Sequence, residues 1–108
     1  MQLKELSELV NQFIMRQGGY WNLPWMLAAL TEELGELSRA AQVYGDLRVP
    51  PDPRAYQKKR HTKDALLEMA EECGDLLFAL LCLTNSLGIN LEAELLKSLE
   101  KYSTRADS

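Results

Sequence analysis

Two hexapeptides in this chain carry the same punctuation: Glu32-Glu33-Leu34-Gly35-Glu36-Leu37 and, 39 residues on, Glu71-Glu72-Cys73-Gly74-Asp75-Leu76. Both sit inside longer runs of helical periodicity, and each holds an interior glycine that costs a helix about 0.8–1 kcal/mol. A fold for this chain must therefore give two acid-bearing helices a reason to exist. At about 100° per residue, Glu33 and Glu36 share a stripe with Met26, Ala29 and Ala40, beside the leucine stripe Leu27, Leu30, Leu34, Leu37 and Ala41. The second copy gives the stripe Glu68, Glu72, Asp75, Ala79 and Cys82. If the two helices pack antiparallel, the two acid pairs meet.

The rest of the chain supplies helices on either side. Leu3, Leu6, Val10 and Phe13 recur at three- and four-residue steps, a helix that stops at Gly18-Gly19. Asn22 caps the next, with Pro24 tolerated in its first turn, and Gly45 marks its end after Tyr44. From Asp46 to Thr62 the prolines Pro50, Pro51 and Pro53 and the weak periodicity predict a long loop with a short helical turn at its basic end. Thr62 or Asp64 opens a third helix to Leu87, closed by Gly88, and its segment Leu76 to Leu83 is apolar on every side. Asn90 caps a fourth, with Glu92 and Glu94 in its first turn and Leu91, Leu95, Leu99 and Tyr102 as its core face. No strand-like alternation is present, so the expected class is all-α, a four-helix bundle. At 108 residues and 46% hydrophobic content the expectation is one domain over 1–108, completed by self-association as a dimer or tetramer.

The longest apolar run falls short of the roughly 20 residues that span a bilayer, and the N-terminus lacks a signal-peptide pattern, so the expectation is a cytoplasmic protein off the membrane. Cys73 and Cys82, some 13 Å apart along a helix, read as reduced core residues. A net charge of −4 argues against nucleic-acid binding, although Arg54, Lys58, Lys59, Arg60 and Lys63 crowd around His61. That basic stretch either closes over an anionic ligand or is a solvated connection.

Carboxylates Glu33, Glu36, Glu72 and Asp75 converging in a half-buried groove would raise one another's pKa unless a cation neutralised them. All-oxygen ligation suits Mg²⁺ or Mn²⁺; zinc prefers His and Cys, and the di-iron bundle pattern needs a Glu-x-x-His that is absent. Magnesium commonly takes substrate phosphates as ligands, which points to phosphate chemistry. A single Glu-x-x-Glu is ordinarily a solvated helix face; the doubling beside apolar stripes favours a site. Glu32 and Glu71 phase toward solvent, and Glu68 stays open between the two readings.

These motifs resemble the MazG family of nucleoside triphosphate pyrophosphohydrolases, whose hallmark is Glu-Glu-x-x-Glu followed downstream by Glu-x-x-Asp. Here these are Glu32-Glu33-Leu34-Gly35-Glu36 and Glu72-Cys73-Gly74-Asp75, and the likeness extends through Leu87-Gly88-Ile89-Asn90-Leu91-Glu92 to Lys97, Lys101, Tyr102 and Arg105. The resemblance implies a helical fold assembled as dimers or tetramers. It also implies Mg²⁺-dependent cleavage of nucleoside triphosphates between the α- and β-phosphates, and a house-cleaning role. By position, Glu33, Glu36, Glu72 and Asp75 would be metal ligands, and Glu32 a further ligand or the acid that orients the attacking water beside Glu33. The 35 residues between Glu36 and Glu72 exceed the family's compact form, and the surplus is the proline-rich basic loop.

Lys97, Lys101 and Arg105 form one cationic face, for phosphate contact or simply in keeping with the helix dipole, and Tyr102 lies among them. Trp21, Trp25 and Tyr20 could stack on a nucleobase or serve as core or dimer contacts. Asn85 could hydrogen-bond substrate or a neighbouring backbone group. The alternative class is a catalytically silent helical module that binds nucleotide or metal without hydrolysis.

Overall fold

Asn22 and Asn90 each stand one residue before a helix and accept a backbone N–H, from Trp25 and Ala93 respectively, both at 3.1 Å. Two of the orphan donors of helix starts are thereby satisfied, as the sequence predicts. The computed structural model describes residues 1–48 and 62–107, and these form four helices and no strand: α1 (Leu3–Arg16), α2 (Leu23–Arg48), α3 (Thr62–Ser86) and α4 (Leu91–Asp107). Glycines terminate two of them. Gly18 and Gly19 take φ of 108° and 104°, and Gly88 takes 69°, a region where a Cβ is penalised. The N–H groups of Gly19 and Ile89 return to the carbonyls of Ile14 and Thr84 at 3.0 and 2.9 Å.

Gly45 does not end α2, contrary to expectation; the helix continues to Arg48. A glycine stops a helix by entering the left-handed region, and Gly45 keeps a negative φ. Nothing lies within 4 Å of where its Cβ would sit. Gly45→Ala is therefore expected to stabilise the protein by about 0.5–1 kcal/mol, read as a rise in the thermal midpoint. The expected loop 46–62 is correspondingly shorter at both ends, since 46–48 and Thr62 are helical. Its prolines, Arg54, Lys58, Lys59, Arg60 and His61 lie outside the described residues.

Helices α2 and α3 form the main interface; α1 packs on α3, and α4 packs on α1. Glu33 lies by Asp75 and Glu36 by Glu72, the order of an antiparallel pair. The helices close along small side chains: Ala40, Ala65 and Cys82 are buried with Met26 and Leu81. The acid-bearing stripe of α2 thus runs along its α3-facing side, and the leucine stripe is split, Leu27 and Leu34 at 46% and 55% exposure and Leu30 and Leu37 half-buried. On α4 the expected core face is likewise open, Leu95, Leu99 and Tyr102 all being half-exposed or more. Cys73 is exposed and not a core residue, while burial pushes the Cys82 thiol up. No single helix among the described residues is long and apolar enough to cross a membrane.

Two contacts fasten α1 to α3. Phe13 and Phe78 meet edge-to-face at 6.1 Å between ring centres, and the Asn85 side-chain amide donates to the Ser7 carbonyl at 2.9 Å. Asn85→Ala removes the donor from a part-buried bond, with an expected loss of about 1 kcal/mol in denaturant unfolding.

Candidate functional site

Antiparallel helices one small-residue layer apart bring side chains from both into one groove, and here those side chains are acids. Glu33, Glu72 and Asp75 can each offer a carboxylate oxygen such that all three lie within 4.8 Å of one another. Neighbouring ligands around an octahedral ion bound at about 2.1 Å stand about 3 Å apart and opposite ones about 4.2 Å. Closing this triad on an ion draws its oxygens together by up to about 2 Å, within reach of side-chain rotation. Glu36 touches the same group from α2 and is the main charged neighbour of both Glu33 and Glu72.

The electrostatics are those of a site short of positive charge. Burial raises the Glu33 carboxyl above its ordinary value, and the charges of Glu36 and Asp75, a hydrogen bond shared with Glu36, and Glu32 add to it. Burial raises Glu72 too, followed by its hydrogen bond with Glu36 and the charges of Glu36, Asp75 and Glu33. One oxygen of Glu33 and one of Glu72, both Oε2, are buried without a hydrogen-bond partner. A buried carboxylate oxygen needs a donor or a cation, and the donor set is all oxygen, so these residues fit a hard divalent ion such as Mg²⁺ or Mn²⁺.

The acids occupy one end of a cavity of about 490 Å³, within the size range of small-molecule sites. Glu33 and Asp75 line that end; Ala29, Ala79, Met26 and Cys82 line its apolar stretch; Phe13, Phe78, Tyr20 and Trp21 supply aromatic surface. The double-glycine turn after α1 makes this possible, because it returns the chain so that Tyr20 and Trp21 reach the groove. Tyr20 is fixed there by its hydroxyl, which donates to Asn11 Oδ1 at 2.6 Å.

The residues singled out in the sequence separate accordingly. Glu33, Glu36, Glu72 and Asp75 come together. Glu32 is exposed and reaches the group only through its charge on Glu33; Glu71 is exposed and Glu68 half-buried. Trp21 lines the cavity and Trp25 does not. Asn85 serves the α1–α3 contact. Lys97 pairs with Glu94 at 3.1 Å, while Lys101 and Arg105 lie 4.9 and 5.7 Å from the centre of the Tyr102 ring, none of them lining the cavity. Phe13, Phe78 and Gln17 line it without having been singled out; the first two looked like ordinary core positions, and Gln17 gave no signal beyond preceding the glycine turn.

Comparison with known proteins agrees with this geometry. The family described as the MazG nucleotide pyrophosphohydrolase domain matches residues 23–108. The uncharacterized Bacillus subtilis protein YpjD is 38% identical over 105 residues, covering 95% of this chain and 85% of its own. A second uncharacterized protein of that organism, YvdC, is 29% identical over 106 residues, covering 97% and 96%. The crystal structure of a Bacillus-conserved MazG protein, a nucleotide pyrophosphohydrolase, superposes with a TM-score of 0.71 at 30% identity, covering 94% of this chain and 89% of that one.

Proposed function

The chain belongs to the MazG nucleotide pyrophosphohydrolase family, and from that premise we propose that it hydrolyses nucleoside triphosphates, standard or non-standard, to nucleoside monophosphate and pyrophosphate, with Mg²⁺ as cofactor and Mn²⁺ able to replace it. The observation that carries this reading is the acid cluster at one end of an aromatic-lined cavity, its Glu33 and Glu72 half-buried and its Asp75 exposed. One domain, 1–108, self-associated and acting in the cytoplasm, completes the proposal; nucleic acid and membrane have no part in it.

Glu33, Glu72 and Asp75 would hold the ion, and Glu36, against both Glu33 and Glu72, would close the set. Bound there, Mg²⁺ supplies charge neutralisation for the triphosphate and lowers the pKa of a coordinated water. Glu32, at the solvent rim next to Glu33, is the acid free to orient the attacking water, which displaces pyrophosphate from the α-phosphorus in line. Trp21, Tyr20 and the Phe13–Phe78 pair present ring faces and edges to the base, and the Gln17 amide can both donate to and accept from its polar edge. The small side chains Ala29 and Ala79 leave the space between acids and aromatics open.

Trp21→Ala is expected to raise KM about 5- to 100-fold, the range of a lost base stack, with kcat less affected, whereas Trp25→Ala leaves KM within a fewfold. Steady-state kinetics on the two variants checks this. The function itself is tested by pyrophosphate release from a panel of nucleoside and deoxynucleoside triphosphates, with Mg²⁺ and with EDTA. Mg²⁺-dependent release is the expected result. Metal-dependent nucleotide binding without release would instead support a silent binding module.

A further inference from the structure

The aromatic end of the cavity depends on a stretch of chain with few anchors of its own. Between α1 and α2, Gly18 and Gly19 both take positive φ, and nothing lies within 4 Å of where a Cβ would sit on either, so no packing at these positions fixes the turn. The Gly19 N–H returns to the Ile14 carbonyl at 3.0 Å, and the next anchor is the Asn22 side chain, which accepts from the Trp25 N–H at 3.1 Å. Tyr20 and Trp21 lie between these anchors and make no backbone hydrogen bond among the described residues. Both line the cavity, and Trp21 is 65% exposed. The hydrogen bond that ties this pair to the body of the protein is the Tyr20 hydroxyl, donating to Asn11 Oδ1 at 2.6 Å.

Asn11 stands exposed in the interior of α1, a position where asparagine is a poorer helix former than alanine, lysine or glutamate. It does not line the cavity, so it reaches a ligand there only through Tyr20. With its hydroxyl taken by Asn11, Tyr20 offers the cavity a ring and not a hydrogen bond, and a ring surface accepts any base. Building on the proposed reaction, we infer that Asn11 is a positioning residue for the nucleobase: its side chain holds the Tyr20–Trp21 segment where the base stacks. Ordering that segment in advance of binding removes a cost, because apparent affinity falls in proportion to the fraction of molecules whose site is formed. The effect belongs to KM and not to kcat, since the acids that act at phosphorus line the other end of the cavity.

Steady-state pyrophosphate release by Asn11→Ala, Tyr20→Phe and the double variant, on each triphosphate that the wild type accepts, tests this. Asn11→Ala removes the acceptor; Tyr20→Phe removes the donor and keeps the ring. Each is expected to raise KM about 3- to 10-fold, the equilibrium worth of one hydrogen bond, by a similar factor for every base and with kcat within about twofold. The double variant is no worse than either single, because both remove the same bond. Alanine is the better helix former, so the thermal midpoint of Asn11→Ala does not fall, which separates positioning from a weakened α1. Gln12→Ala, next along α1, exposed and off the cavity, keeps the wild-type KM. With the wild type active, a KM of Asn11→Ala within about twofold of wild type, or single effects that multiply in the double variant, overturns the inference and leaves the reaction standing. So does a changed base preference in Tyr20→Phe alone, which assigns the hydroxyl to reading the base. A wild type without turnover overturns the reaction and this inference together.

Discussion

Glu72→Gln lowers turnover by about two to three orders of magnitude while the helical content is retained, and Asp75→Asn does the same. The magnitude is that of losing one preorganised charged group at a phosphoryl centre, in a site where the lost oxygen has no substitute. Both side chains sit in the group whose oxygens approach within 4.8 Å, and Glu72 carries a buried oxygen with no other partner. Glutamine and asparagine keep the shape and remove the charge, so packing along the α2–α3 seam is preserved and the loss is chemical. Glu71→Gln, one residue away but exposed, changes turnover by less than threefold. Steady-state pyrophosphate release, with circular dichroism on the same samples, checks all three.

The metal-free protein becomes less stable as pH rises from the ordinary glutamate value of 4.5 through the raised values of Glu33 and Glu72. A carboxyl whose folded-state pKa lies above its unfolded value binds more protons folded than unfolded in that window, so raising the pH favours the unfolded chain. Above the window the repulsion between the carboxylates is fully present. A divalent ion reverses it: at one hundred times its dissociation constant, Mg²⁺ raises the thermal midpoint at neutral pH by about 10 °C or more, and it has little effect well below pH 4.5, where Glu33 and Glu72 are protonated. In Glu72→Gln the metal-free pH dependence flattens and the Mg²⁺ response shrinks. Thermal melts across pH with EDTA or Mg²⁺ measure each part.

The helices and the acid centre were legible because their signals are local and periodic. Asn22, Asn90, Gly18-Gly19 and Gly88 act through one turn of backbone, so the caps and stops they announce appear in the structure. The doubled hexapeptides announced that the two acid pairs meet if their helices run antiparallel, and the structure adds the register, Glu33 by Asp75 and Glu36 by Glu72. Gly45 misled, since a glycine ends a helix only where the chain leaves helical φ, and Gly45 does not take a positive φ. The leucine stripes misled in another way. Periodicity shows that a face is apolar but not what covers it. The structure closes α2 on α3 along alanines and acids, leaving Leu27, Leu34, Leu95 and Leu99 outside. The aromatic end of the cavity was only half legible: Trp21 and Trp25 look alike in sequence, and the direction in which the turn after α1 delivers each of them is a tertiary fact.

The products and the phosphorus at which water attacks together separate attack at the α-phosphorus with pyrophosphate leaving from every other cleavage of a triphosphate. Hydrolysis of a nucleoside triphosphate by the purified protein with Mg²⁺ in ¹⁸O-labelled water, the products separated and weighed by mass spectrometry, reads this in one step. The expected result is a nucleoside monophosphate carrying the label and an unlabelled pyrophosphate in equal amounts, absent in EDTA and in Glu72→Gln. Labelled pyrophosphate, a nucleoside diphosphate with inorganic phosphate, or no turnover of any triphosphate in the panel would contradict it.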